Sequence, residues 1–385
     1  LQTIGESAFA CCSGLTRLAI PDGVQSVGIN AFYSTNAQLC CSMGSRAAEA
    51  LSRRGYDFYT ETWKLRYTFD SDKQVNGLRA ERYLGSDAAV TLPEGTTLIG
   101  GSAFKDCAFI TSVTLPEKLL SIGNYAFSGC RGLTEIVIPD SVTTIGSYAF
   151  SGCTGLTRVV LPAGLTAIPD WCFNNCEKLP GIAIPETVTS IGSCAFRYCS
   201  ALTAITLPQG IVEIGDSAFA ECPKLTVIDI PDGLQKAAWL AEDDVRLRCS
   251  FGSSAAFALS KGGNNFCAGD FQMRYLFDDE GNRNGLRLNK YLGTDAEVTV
   301  PEEVTETGSA FKDCKTVTKV VLPAGLTKLE SDILSGCTAL KEIAIPEGVT
   351  LIGNGAFRDC EALTELALPQ GLKKIGSNAF IGCKS

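Results

Sequence analysis

The chain has 385 residues, 33 Lys and Arg against 42 Asp and Glu, a formal net charge of −9 and no histidine. An acidic balance without a basic run argues against nucleic acid and against an anionic membrane surface as partners, and the missing histidine excludes His-based triads, proton relays and His metal sites. With 45% hydrophobic and 19% charged residues the chain can bury a core, yet no apolar run approaches the roughly 20 residues of a membrane-spanning helix, so no membrane insertion is expected.

In chain order, residues 1–35 read as the end of a repeat array. They open mid-pattern at Leu1-Gln2-Thr3-Ile4-Gly5, and the chain stops two residues after a repeat cysteine, Cys383. Both ends are therefore expected to be cut from a longer array. Residues 36–60 break the pattern. Ser45 to Arg54 predicts a helix, with serine at its start, Ala47, Ala48, Ala50 and Leu51 within, and Gly55 as a stop. A short strand at Phe58 follows, making a helix-and-strand cap. Residues 61–93 predict a β-hairpin lead-in whose strands flank Asp70 to Gly77, with Asn76-Gly77 as the turn signal.

Residues 94–235 then carry the main array, about six repeats of 23 residues. Pro93, Pro116, Pro139, Pro162, Pro185, Pro208 and Pro231 share that spacing, as do Phe104 to Phe219 and Cys107 to Cys222. Such a period marks stacked supersecondary units, none of which can bury its own apolar face alone. Between Pro139 and Pro162, Leu156 to Leu161 predicts one strand and Val142 to Ile145 a second. Ala149-Phe150-x-x-Cys153 predicts a turn of 3₁₀ helix. Residues 236–268 repeat the cap, 269–301 repeat the hairpin, and 302–385 begin a third array. Cys41 to Pro93 aligns with Cys249 to Pro301 without a gap at an offset of 208. The interruptions are expected chiefly to cap open strand edges.

The stations Ile122-Gly123, Ala126-Phe127 and Cys130, followed by Leu133-Thr134-Glu135-Ile136-Val137-Ile138-Pro139, resemble a leucine-rich repeat of the BspA-like type. With its accessory segments the resemblance covers almost the whole chain. It implies a right-handed leucine-rich-repeat solenoid, mainly β with short 3₁₀ or helical turns, interrupted by the two cap-plus-hairpin segments. It also implies export to the surface of an anaerobic bacterium and an adhesive or binding role.

Of 18 cysteines, 11 occupy the repeat station. They read as a core ladder of small apolar thiols rather than a disulfide or metal framework, because equivalent residues offer no unique pairing and no CxxC motif occurs. So many free thiols fit an anaerobic habitat. The position before Ala-Phe holds Ser102, Tyr125, Tyr148, Trp171, Cys194 and Ser217. Its three consecutive aromatics could form a platform for a sugar or peptide, or simply stack on one another. The outward sites of the sheet include Glu135 and Arg158 among small residues, a flat face without a deep pocket. Asp278 to Gly285 resembles a calcium loop, but Arg283 stands where glycine is needed, which favours a solvated turn. No nucleophile–base pair, phosphate loop or metal cluster stands out, so no enzyme activity and no cofactor is expected. The expected role is extracellular recognition or adhesion toward a host or other extracellular protein, or a glycan. Candidate contacts are Tyr125, Tyr148, Trp171, Glu135 and Arg158. A surface-layer stalk or spacer is the alternative.

Overall fold

The structure is a computed structural model that describes residues 1–242 and 244–384. It contains two compact units, Leu1–Leu225 and Thr226–Ser385. Each is a mainly β solenoid.

In the first unit a coil contributes two very short strands. For the coil between Pro139 and Pro162 these are Thr144–Ile145 and Arg158–Val160, shorter than the runs the sequence suggests because turns and prolines bound them. Each strand pairs in parallel with its copy 23 residues away, Ser121 with Thr144 and Glu135 with Arg158. The core is a column of identical residues. Phe104, Phe127, Phe150, Phe173, Phe196 and Phe219 are buried, and adjacent rings lie 4.8–5.8 Å apart at 2–12°. Each ring contributes about 1.5–3 kcal/mol through burial alone.

The segment around Phe150 makes the intra-coil bonds of a 3₁₀ turn, Ser151 N to Tyr148 O and Cys153 N to Phe150 O. The alternate amides turn outward instead. Tyr148 N reaches Asp170 O, Phe150 N reaches Cys172 O and Gly152 N reaches Asn174 O. A continuous 3₁₀ helix does not form, because every second N–H is used to hold the next coil. Threonine hydroxyls add a parallel ladder: Thr134 Oγ1 donates to Thr111 O and Thr157 Oγ1 to Thr134 O. The strand ladder thins at Pro180, where the coil has no N–H to match Thr134 N and Thr157 N, which bond the coil before. Beyond it, among the described residues of the first unit, this ladder continues only as the isolated bridge of Ala183 with Thr206.

The first interruption contains helix α1, Arg46–Arg53, capped by the Ser45 hydroxyl, which accepts from Ala48 N at 3.1 Å. Ser45→Ala should cost about 1 kcal/mol, measured as a lowered melting temperature that Ser45→Asp largely restores. The hairpin strands are Trp63–Phe69 and Val75–Tyr83. The turn falls earlier than Asn76-Gly77. The Asp70 carboxylate accepts from Asp72 N and Gln74 N, and Lys73 takes the left-handed conformation at φ 63°. Gly77 lies within the second strand, where a Cβ would strike the Thr97 side chain; its role is close approach, not turning.

The interruption does more than cap. One eight-stranded sheet runs through it, in the order Thr144–Ile145, Ser121–Ile122, Thr96–Ile99, Val75–Tyr83, Trp63–Phe69, Phe58–Tyr59, Gln38–Cys40, Arg17–Ala19. The cap and hairpin splice the Leu-Thr-x-Ile strand line of one array onto the Thr-x-Ile-Gly line of the next, so the edge expected there is paired on both sides.

The second unit uses the same parts. Helix α2, Ser254–Lys261, is capped by Ser253, and the hairpin pairs Phe271–Phe277 with Arg283–Tyr291. The Asp278 carboxylate accepts from Glu280 N and Asn282 N, which occupies the loop that resembled a calcium site. No cluster of His, Cys, Asp or Glu suited to a metal occurs among the described residues. Strands Glu297–Thr299, Lys319–Val321 and Glu342–Ala344 form a parallel sheet. No helix is long and apolar enough to cross a membrane among the described residues.

Candidate functional surface

Three columns repeat along the first unit and carry its chemistry. The first is the open sheet. In Ala89–Thr91, Ser112–Thr114, Glu135–Val137 and Arg158–Val160 the middle residue is buried and the outer two face solvent, except for half-buried Val160. Parallel sheets are normally covered on both faces; this one is not. Val137 is 51% exposed. Beside it Arg158 and Glu135, paired in strand register, bring Nη1 and Oε2 to 3.5 Å. At that exposure the ion pair adds little stability and leaves a flat surface of mixed charge. The second unit repeats the theme with exposed Val321 beside the Lys319–Glu342 pair at 2.8 Å.

The second column is aromatic. Tyr125 and Tyr148 have centroids 4.6 Å apart at 13°, and Tyr148 and Trp171 5.4 Å apart at 6°. Lys105 Nζ lies 5.4 Å from the Tyr125 ring centre. The rings cover one another's faces, so what they offer to a ligand is a row of edges rather than a flat sugar platform. The whole column, Ser102, Tyr125, Tyr148, Trp171, Cys194 and Ser217, sits at φ 53–63°. A non-glycine residue there costs on the order of 1 kcal/mol. Amide bonds to the next coil offset it, as Trp171 N to Ser193 O at 2.8 Å. Sequence reading does not find this strain, because Ser, Tyr, Trp and Cys give no left-handed signal. It could find the companion column at Asp106, Gly129, Gly152, Asn175, Tyr198 and Glu221, φ 57–75°, since four of its six residues are Gly, Asn or Asp.

The third column is the thiol ladder. Cys130, Cys153, Cys176, Cys199 and Cys222 are buried, and all 18 cysteines are free. Each of these thiols donates to the carbonyl of a phenylalanine in the preceding coil: Cys130 to Phe104 at 3.1 Å, Cys153 to Phe127 at 3.2 Å, Cys176 to Phe150 at 3.4 Å. That carbonyl also accepts an amide three residues on, as Phe104 O does from Cys107 N. The small thiol thus uses the second lone pair of an otherwise half-satisfied buried acceptor. Burial pushes the Cys153 thiol up to about 12 and Cys176 well above its ordinary value, so these sulfurs are not nucleophiles at neutral pH.

Of the candidate residues, the structure joins Tyr125, Tyr148 and Trp171 in one stack and Glu135 with Arg158 in one ion pair.

A sequence profile of the BspA type leucine rich repeat region matches in 6 copies over residues 1–44, 86–180, 120–238 and 294–385, well over half of the chain. Among solved structures the chain is similar to a leucine rich cell surface protein of Faecalibacterium prausnitzii, at 23% identity over 85% of this chain and 92% of that one, TM-score 0.39. It is also similar to a leucine-rich repeat protein of Bacteroides ovatus, at 20% identity over 85% and 92%, TM-score 0.38. The pneumococcal vaccine antigen PcpA aligns at 21% identity over 80% and 61%, TM-score 0.27. No curated protein matches.

Proposed function

The chain belongs to the BspA-type leucine-rich repeat family, and from that premise we propose a non-catalytic recognition module, exported to the cell surface, that docks an extracellular protein on its open sheet. The uncovered parallel sheet around Val137, Glu135 and Arg158 carries this reading. Export and a binding role are what the family resemblance implies. A flat face of small residues with one exposed valine and paired opposite charges suits a flat protein surface better than a small molecule, which needs a concave pocket. Arg158 is the residue of the hot-spot type. A glycan held along the aromatic edges is the second choice, since the three rings stack face to face on one another.

The test is immobilised protein against arrays of extracellular matrix proteins and glycans. A protein ligand should bind, and Val137→Asp with Arg158→Glu should weaken it at least about tenfold, a change of about 1.4 kcal/mol. Tyr148→Ala with Trp171→Ala should leave it unchanged. The reverse pattern would move the site to the aromatic column. No binding by either array would leave the spacer reading.

A further inference from the structure

A recess of about 450 Å³ lies where α1, the strand Ser26–Val27 and the hairpin turn meet, all within the first unit. Arg53, Arg54, Lys73, Phe69 and Gln25 line it with smaller residues, and no acidic residue does. In a chain of net charge −9 three cations around one cavity stand out. It shares no residue with the open sheet and does not depend on the function proposed there.

The cations are held differently. Arg53 pairs with Glu49 at 2.5 Å and lies 4.8 Å from the Phe69 ring centre. Arg54, which lines the recess, donates through Nε to Val27 O at 2.7 Å, which fixes its guanidinium there. Lys73 has no ion-pair partner among the described residues. Asp70 and Asp72 share its turn, but the Asp70 carboxylate is engaged by backbone amides.

The second cap is an internal control for what the fold requires. At the offset of 208, Lys261, Gly262 and Gly281 replace Arg53, Arg54 and Lys73. The local architecture is the same: Ser52 and Ser260 hydroxyls each accept from the hairpin, Tyr67 N and Tyr275 N, at 3.0 Å. Neither Arg54 nor Lys73 is therefore demanded by helix or hairpin. Lys73 is in fact disfavoured, because it holds φ 63° where Gly281 holds φ 81°. In the second cap the one remaining cation of the three, Lys261, lies beside Phe257 and Phe277, at 5.0 and 5.7 Å, as Arg53 lies beside Phe69.

We propose that this recess is a binding site for an anionic saccharide unit of the uronic acid type, whose carboxylate is held by Arg53, Arg54 and Lys73. An inorganic anion would fill a small part of the volume, since a water molecule occupies only about 30 Å³. The remainder, lined by Phe69, Val27, Ala50, Gln25 and Ser26, suits a ring with both apolar faces and hydroxyls. Charge-assisted bonds to the acid set the affinity, which falls with added salt.

The test is calorimetric titration of the full chain at low salt with glucuronic acid, glucose and inorganic sulfate. Glucuronic acid should bind and glucose should not. Lys73→Gly should weaken binding about three- to tenfold while leaving or raising the melting temperature, because it installs the residue the second cap carries. Arg53→Gln should weaken it similarly. No binding of glucuronic acid, or affinity unchanged in both variants, overturns the proposal. Sulfate binding as tightly as glucuronic acid overturns the saccharide assignment.

Discussion

Gly123→Ala is expected to destabilise the first unit by about 3 kcal/mol or more, at or beyond the upper range for overpacking. A Cβ there would stand 2.7 Å from Gly101 N, 2.8 Å from Gly100 C and 2.9 Å from Ile99 O. All three are backbone atoms of the preceding coil and cannot rotate away. Relief requires the coils to part, which stretches the Gly123 N to Ile99 O bond of 2.9 Å. Gly101→Ala is the control. Its nearest contact would be Asn124 O at 3.4 Å and its φ is not positive, so the change should be neutral to slightly stabilising, within about 1 kcal/mol. Paired urea and thermal melts of the two variants check this. Equal stability would show that the close approach of the coils at the Ile-Gly station does not matter.

Alkali should unfold the protein through its thiol ladder. Desolvation raises Cys153 from an ordinary 9.0 to about 12, and Cys360 in the second unit likewise. Cys130, Cys176, Cys199 and Cys337 move the same way for the same cause. The folded state binds these protons more tightly than the unfolded chain does. The stabilisation is therefore complete below pH 9 and is lost as pH rises from about 9 to about 12. Each such thiol removes about 1.4 kcal/mol per pH unit in that window. Several acting together outweigh the marginal stability of a domain. Tyr83 and Tyr291, also raised by burial, add in the same sense. Denaturant midpoints should be flat to about pH 9 and then fall steeply, with thiolate absorbance rising only as the protein unfolds. Thiols titrating near their ordinary value in a still folded protein would contradict the ladder. Cys153→Ala should lower stability at neutral pH but make its fall above pH 9 shallower.

The architecture was legible because its physics is written once per coil. Phe104 to Phe219 and Cys107 to Cys222 had to stack, since a period of 23 brings identical side chains to the same place on successive coils. The two helices were legible from Ser45 and Ser253 and the alanines that follow them. What the residues did not reveal are the effects of one chain segment on another. The hairpin turn moved off Asn76-Gly77 because the Asp70 carboxylate organises an earlier turn and Thr97 needs the space at Gly77. The sheet thinned at Pro180 because a missing amide matters only when a neighbour's carbonyl awaits it. At the surface, the aromatic spacing suggested a platform, but ring orientation is a tertiary property, and the rings face one another. The basic recess joins residues from three separate segments and has no motif at all.

The splice has an evolutionary consequence. Cap and hairpin together, Cys41 to Pro93, form a stretch whose second copy, Cys249 to Pro301, lies 208 residues on, and an array follows each. In the first unit the sheet enters that stretch on a coil strand, Arg17–Ala19, and leaves it on another, Thr144–Ile145. A tandem duplication whose ends both fall within a coil therefore joins coil to coil at the new boundary and creates no unpaired strand. Lengthening by whole modules asks nothing of the residues already present. Each added copy is then free to vary where the fold is indifferent, as Lys73 and Gly281 already do.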